Sequence, residues 1–378
     1  MDQSYDFFVP TARGLERVLE TELDGLGLKS IHQGVGGVFF RGTLPDAYKA
    51  NLWLRTGNRV LLVLKEFTCK DPDALYKTCR SMPWDRYLLK GQTFAVDAST
   101  WDTPLLKNAQ YAALKVKDAV ADALRSKWGH RPDVDRHDPD LGVSLHVVQG
   151  KATLSLDTTG DRLHRRGYGS DRKKAPLKET LAAGLVLLSG WDGRTPLIDP
   201  MCGTGTIVIE AALFAAHRAP GLLHERFAFE KWRNFQQSAW KELVREAQQT
   251  GSDAVSCPIV GMDKDWSAVQ SARRNAKKAG VENYVRFLRR DVLDFEPETG
   301  PGLILTNPPY GHRLDLPEDP QLFYKKLGDV LKHKCNGWTA EIFTGDPNLA
   351  KQIELRTSRR IILYNGPPEC RLLRYEMH

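Results

Sequence analysis

In the C-terminal half of this 378-residue chain, short apolar runs alternate with amphipathic helical segments, and three of the runs end in chemistry-bearing residues. A helical stretch at 177–191 precedes a strand ending at Asp199, and a glycine-bearing turn then leads into a helix at 205–217. A buried strand at 259–263 is followed by a helix at 267–279, strands at 285–288 and 303–306, a helix at 322–332 and a strand at 339–344. Two last strands are predicted at 361–364 and 372–375. Parallel strands need a long crossover, which helices supply, so this alternation predicts a mostly parallel sheet with helices on both faces.

The first 159 residues read differently, as mixed α+β. Strands are predicted at 6–9, 37–40, 60–67 and 93–98, and a hairpin at 143–148 and 151–157 around Gln149-Gly150. Helices are predicted at 14–26, 44–54, 74–82 and 108–127 from apolar residues at helical spacing. The two halves are joined by a segment rich in Arg, Lys, Gly and Ser without apolar period, read as a connector.

Charge is concentrated at that junction. The chain carries a net +7, and residues 161–178 hold seven basic side chains against two acidic ones. Such a stretch suits a polyanion, so Arg162, Arg165, Arg166, Arg172, Lys173 and Lys174 are candidate RNA contacts. Arg273, Arg274, Lys277 and Lys278 share one helix and are read as a solvent face. The aromatic-rich stretch 226–248 (Phe227, Phe229, Trp232, Phe235, Trp240) is read as a hydrophobic cluster under a long loop. No apolar run reaches membrane-spanning length and the first residues lack a signal-peptide pattern. The six cysteines form no CxxC pair and the histidines have no ligand spacing, so neither a disulfide framework nor a metal site is expected, and a reducing cytoplasm is the simplest compartment.

The strongest local feature is the turn Asp199-Pro200-Met201-Cys202-Gly203-Thr204-Gly205-Thr206 between strand and helix. Its glycines permit a sharp bend and close approach of the backbone, and the following helix presents free N–H groups. A dinucleotide fingerprint would place a third glycine where Val208 stands, and a phosphate loop would need Gly-Lys-Ser/Thr, which is absent. An acid at Asp199 would repel a pyrophosphate but favours S-adenosylmethionine, which bears an ammonium and a sulfonium. The next strand ends in Asp263, suited to ribose hydroxyls or alternatively to capping the next helix, and is followed by Lys264. Asp291, beside Val292, could accept from an adenine amine or could be a solvated loop carboxylate.

Thr306-Asn307-Pro308-Pro309-Tyr310-Gly311 closes the set. Taken alone, Asn-Pro-Pro-Tyr is a stiff turn lacking two N–H donors. Downstream of a glycine turn and two strand-end acids, it reads as a clamp: the Asn307 side-chain carbonyl and the Pro308 backbone carbonyl can each accept one hydrogen bond from an exocyclic NH2, aiming the nitrogen lone pair at a methyl donor. Tyr310 can stack on a base removed from its helix.

Leu163-His164-Arg165-Arg166-Gly167-Tyr168, Ala175-Pro176-Leu177-Lys178-Glu179-Thr180, the 199–206 turn and the 306–311 motif together resemble the RlmL-type 23S rRNA guanine-N(2) methyltransferases. The resemblance implies a Rossmann-like class I methyltransferase domain with a mostly parallel seven-stranded sheet at 177–378. It further implies an N-terminal ferredoxin-like segment at 1–60, a THUMP RNA-binding domain at 61–159 and a basic linker at 160–176. It adds Pro176, Lys178 and Thr180 to the cofactor set of Asp199, Met201, Cys202, Gly203, Thr204, Gly205, Thr206, Asp263, Lys264, Asp291, Val292 and Asn307, and assigns Asn307, Pro308, Pro309 and Tyr310 to catalysis. Lys178 and Glu179 could equally mark only a helix start. In that family the residue after Gly311 is commonly acidic, and here it is His312. Some members carry a second methyltransferase; the chain ends after the first, so a second modification is not implied.

The implied substrate is a 23S rRNA guanine or a large-subunit precursor, with a tRNA guanine or an adenine N6, including in DNA, as alternatives that the same clamp would serve. A non-catalytic ribosome-assembly module would have a degraded turn or clamp, and both are intact.

Overall fold

The computed structural model describes residues 3–103, 106, 108–169, 177–251, 255–298, 300–310 and 319–378. Of the candidate residues, Arg172, Lys173, Lys174 and Pro176 lie outside that set, as do Gly311 and His312.

The N-terminal part is one antiparallel-rich sheet. Its elements are β1 (Tyr5–Pro10), α1 (Glu16–Gly25), β2 (Lys29–Gly34), β3 (Gly37–Gly42), α2 (Leu44–Trp53), β4 (Leu61–Thr68), α3 (Pro72–Arg80), β5 (Phe94–Trp101), α4 (Ala109–Trp128), β6 (Leu141–Val148) and β7 (Lys151–Asp157). The strand order is β2-β3-β1-β4-β7-β6-β5, with only the β5–β6 pair parallel. Strict alternation in β6 buries Leu141, Val143, Leu145 and Val147 in one core with the apolar faces of the helices. Local sequence sets the helix ends. Thr43 and Asp46 form a reciprocal capping box at α2, the Asn108 carboxamide accepts from the Tyr111 N–H at 2.8 Å, and Gly129 ends α4 at φ +85°.

The C-terminal part contains α5 (Glu179–Ser189), β8 (Leu197–Asp199), α6 (Thr206–Ala215), α7 (Gln237–Thr250), β9 (Ile259–Asp263), α8 (Trp266–Lys278), β10 (Val285–Arg289), β11 (Leu303–Thr306), α9 (Pro320–Lys334), β12 (Thr339–Thr344), α10 (Pro347–Lys351), β13 (Arg359–Tyr364) and β14 (Glu369–Glu376). Its order is β10-β9-β8-β11-β12-β14-β13, parallel through β12, with β14 antiparallel to both neighbours. Successive side chains point to opposite faces, so Leu197, Ile259, Leu303 and Leu305 join a core under α5, α6 and α8. Ile198, Val260, Met262 and Ile304 join a second core under α9. This is the expected Rossmann-like sheet of seven strands. From β8 the chain crosses to β9 on one side, and β11 lies on the other, which opens a crevice at the carboxyl ends of these strands.

Two segments depart from the sequence reading. The 226–248 stretch does form an aromatic cluster, but it reaches across to the N-terminal half. Phe229 stacks on Tyr48 of α2 with ring centres 4.1 Å apart, and Phe235 and Trp240 meet the same ring edge-on. The connector is also less solvated than expected, because Leu163 and Tyr168 are buried in the cores of the two halves. Its Arg166 is a correction to the RNA-contact set. The guanidinium is fully buried, donating to Glu210 Oε1 of α6 at 2.8 Å and to the Arg55 carbonyl at 2.7 Å. A side chain so enclosed reaches no phosphate. Arg162 and Arg165 are exposed, the former near Asp97 and the latter near Asp161.

Candidate active site

Three strand ends build the site. Asp199 ends β8 in the interior, where its Oδ1 accepts from the Thr306 hydroxyl at 2.7 Å and from the Met201 N–H at 3.2 Å. Burial pushes its carboxyl up to about 7; the Thr306 and Met201 hydrogen bonds pull it down, and the nearby Asp263 carboxylate adds to the rise. Thr306 is the last residue of β11, so this one bond ties the turn to the start of the Asn-Pro-Pro-Tyr loop.

The turn itself is braced on all sides. Cys202 N–H donates to the Met262 carbonyl at 2.8 Å, Gly203 N–H to Asp263 Oδ2 at 2.9 Å, and the Asn275 carboxamide to the Thr204 carbonyl at 3.1 Å. Gly205 opens α6 at φ +86°, where an added Cβ would lie 3.0 Å from Ala272 Cβ and 3.1 Å from the Phe287 ring. Conformation and close packing together require glycine there. Gly203, at φ +54°, has open space where a Cβ would project. The Cys202 side chain turns into the core, and Met201 is half-buried. Thr206 begins α6, whose first N–H groups face the same rim.

Asp263 ends β9, accepting from Gly203 and, through Oδ1, from the Asp265 N–H at 2.9 Å; burial raises its pKa above the usual carboxylate range. The helix cap at α8 is supplied by Asp265, two residues on, rather than by Asp263. Asp291 caps a single turn, accepting from the Leu293 N–H at 3.0 Å, with Val292 buried behind it. Lys264 is exposed. At the other flank, Lys178 is exposed at the start of α5, whereas Thr180 is buried and donates its hydroxyl to Asn58 Oδ1 at 3.2 Å, facing the N-terminal half. Glu179 is largely buried, which pushes its carboxyl up to about 7.

Beyond Thr306, Asn307 Oδ1 is a buried acceptor with no partner among the described residues, and Pro308 is buried beside it. The loop is held from below by Tyr324 of α9, whose hydroxyl donates to the Pro309 carbonyl at 3.2 Å. Tyr310 lies beyond the carboxyl end of β12, with its hydroxyl 3.8 Å from Cys370 Sγ of β14 and its ring against Gly345, where a Cβ would come within 2.7 Å. The structure therefore brings Asp199, the 201–206 turn, Asp263 and Asn307 to one rim. It directs the side chains of Thr180 and Cys202 elsewhere, leaving only the Cys202 backbone in the turn. Thr306, Asn275 and Tyr324 were not singled out by sequence. Thr306 stood inside the motif, but nothing in the pattern announced that its hydroxyl would reach Asp199.

Two observations fit a cationic ligand and an amine donor. The carboxylates of Asp199 and Asp263 receive, among the described residues, only a hydroxyl and backbone N–H groups, so a positive charge placed there would be stabilised. The Asn307 oxygen is an acceptor awaiting a donor.

Sheet order and rim together define a class I, Rossmann-like methyltransferase domain behind an α+β N-terminal region. Family models agree with that division: a RlmL ferredoxin-like domain matches residues 6–61, a THUMP domain 69–157, and an RMKL-like methyltransferase domain 166–374. The chain belongs to the RMKL-like methyltransferase family. It is 41% identical to the ribosomal RNA large subunit methyltransferase K/L of Syntrophotalea carbinolica, a match covering 100% of this chain and 54% of that protein. It is 37% identical to slr0064 of Synechocystis sp., covering 98% of this chain and 97% of that one. Among solved structures, SMU.472 complexed with SAH superimposes with a TM-score of 0.88 at 29% identity, covering 100% of this chain and 99% of that chain. The chain spans about half the length of the K/L relatives it matches. Among the described residues no helix is long and apolar enough to cross a membrane.

Proposed function

We propose that this chain is an S-adenosylmethionine-dependent RNA methyltransferase acting on large-subunit ribosomal RNA, and that its target is the exocyclic 2-amino group of a guanine. The observation that carries the reaction type is the Asn307 Oδ1, which has no partner among the described residues, beside two carboxylates that accept hydrogen bonds there only from neutral donors. When bound, S-adenosylmethionine supplies a methyl group already activated by its sulfonium. Asp199 and the 201–206 backbone hold its amino-acid end, Asp263 the ribose, and Asp291 with Val292 the adenine. Lys178 and Lys264, both exposed, complete the proposed cofactor set. Asn307 Oδ1 and the Pro308 carbonyl accept the two amine hydrogens and so fix the direction of the nitrogen lone pair, while Tyr310 and Pro309 form the wall of the base pocket. Positioning of this kind supplies most of the rate enhancement, because no side-chain nucleophile or base is needed at the nitrogen.

The RNA reading rests on the THUMP match, on the exposed Arg162 and Arg165, and on the named activity of the K/L relatives. Incubating the protein with S-adenosylmethionine and unmodified large-subunit rRNA, followed by nucleoside mass spectrometry, tests it. N2-methylguanosine is the expected product. N6-methyladenosine would reassign the base, and the absence of any methylated nucleoside would overturn the RNA reading.

A further inference from the structure

Trp266 opens α8 three residues beyond Asp263, and 47% of its surface is exposed. A bare indole on a monomer surface needs a reason, because this side chain is large and apolar and is usually covered. Its surroundings supply one. The Arg273 guanidinium stacks over the indole at 5.4 Å from the ring centre and is itself anchored to the Phe287 carbonyl of β10 at 2.9 Å. Arg289 of β10 donates to the Lys264 carbonyl at 3.3 Å, which brings a second guanidinium to the same corner. Lys264 is exposed beside it, and Lys277 continues the exposed ridge one turn beyond Arg273. The acids of this corner are engaged: Asp263 turns inward to Gly203, and Asp265 caps α8 through Ser267.

The corner sits on the same rim as the cofactor turn. β8 alone separates β9 from β11, so at ~4.8 Å per strand the ends of β9 and β11 lie roughly 10 Å apart. Trp266 starts the helix that follows β9, so it flanks Asn307 across β8, close enough for one strand of RNA to reach both. An aromatic ring backed by a cation and framed by further cations is the chemistry that holds single-stranded nucleic acid, with bases stacking on the ring and phosphates facing the charges. A protein partner would bring acidic side chains to such a corner but gives no reason for a guanidinium-backed ring.

We infer that Trp266, backed by Arg273, is a stacking platform for an unpaired base of the substrate RNA that flanks the methylated nucleotide. The inference rests on the proposed RNA methyltransferase reading and extends it to a surface that the sequence pattern had marked only as a solvent face.

The test uses the full chain and a 12-nucleotide single-stranded oligoribonucleotide of mixed sequence, with affinity read by fluorescence anisotropy and SAH affinity by calorimetry as control. Trp266→Ala is expected to weaken oligoribonucleotide binding about tenfold, with the salt dependence unaltered because no phosphate contact is lost. Trp266→Phe, which keeps a ring, is expected to recover most of that loss. SAH affinity is expected to match the parent in both. Equal oligoribonucleotide affinity in parent and Trp266→Ala would overturn the platform, and so would a Phe variant as weak as the Ala variant. Failure of the parent to bind SAH would instead sink the methyltransferase reading, leaving the oligoribonucleotide comparison interpretable by itself.

Discussion

Two buried polar clusters share α6 and are finished in opposite ways. Midway along the helix, Glu210 receives Arg166 and the Tyr168 hydroxyl, and Arg55 and Glu22 lie in the same interior, so cations meet anions. Where the helix begins, Asp199 and Asp263 are answered, among the described residues, only by Thr306 and backbone N–H groups, and both carboxyls are pushed up by burial. The first cluster is charge-compensated and joins the two halves of the molecule. The second is suited to accept a positive charge from outside. Buried charge alone therefore does not mark a functional site; buried charge without an internal counter-charge does.

That contrast can be broken from either side. The largest effect is expected from Arg166→Met, which leaves Glu210 buried without its cation and should cost about 3–5 kcal/mol of stability. Thermal denaturation of the intact chain measures it, and an unchanged Tm would show that the cluster is not a structural link. Next comes Asn307→Ala, expected to lower the methyl-transfer rate about 10²–10³-fold, the scale of losing one aimed polar group in a site, while SAH affinity stays within twofold or so. Full activity in this variant would remove the clamp from the mechanism.

Much of this was legible in the chain. The sequence reading of the strands at 259–263, 303–306 and 339–344 coincides with their observed bounds, because the first two are short apolar runs of the kind central parallel strands show and the third is broken only by Glu341 between Ala340 and Ile342. β2 is not legible in the sequence because it is an edge strand with only Ile31 as an apolar interior residue, so it has no alternation to read. α7 reads as loop in the sequence because it buries little of itself beyond Ala247, and its Trp240 joins a cluster of Phe227 and Phe229 that is completed only by Tyr48, far away on α2. Arg166 looked like its basic neighbours, since nothing local distinguishes an arginine destined for Glu210, forty-four positions later, from one left in solvent. The turn and the clamp were legible as motifs, but the Thr306–Asp199 bond that joins them depends on two strands pairing across a crossover.

Thr306→Val sharpens the comparison on the rim side. Removing one hydrogen bond to a buried carboxylate is worth about 1.5–3 kcal/mol, so SAH affinity at neutral pH should fall roughly tenfold or more. A variant that binds SAH as well as the parent would show that this bond has no bearing on the cofactor site.

The smallest effect is a pH dependence. Asp199 takes up a proton near pH 7 in the ligand-free protein, and the ionised form is the one that attracts a cation. Affinity for SAH should therefore strengthen as pH rises from 6 to 8, and Thr306→Val should move the midpoint upward, because the lost hydrogen bond had favoured ionisation. Calorimetry across that range checks both, and a flat profile would mean that Asp199 does not face the ligand's charge.

The most direct measurement is a crystal structure of the protein with SAH and a guanine-bearing oligoribonucleotide. SAH is expected over the 199–206 turn, with the guanine 2-amino group about 2.7–3.2 Å from Asn307 Oδ1. A complex in which the amine is bound by other groups, or in which SAH lies away from Gly203 and Gly205, would contradict that arrangement.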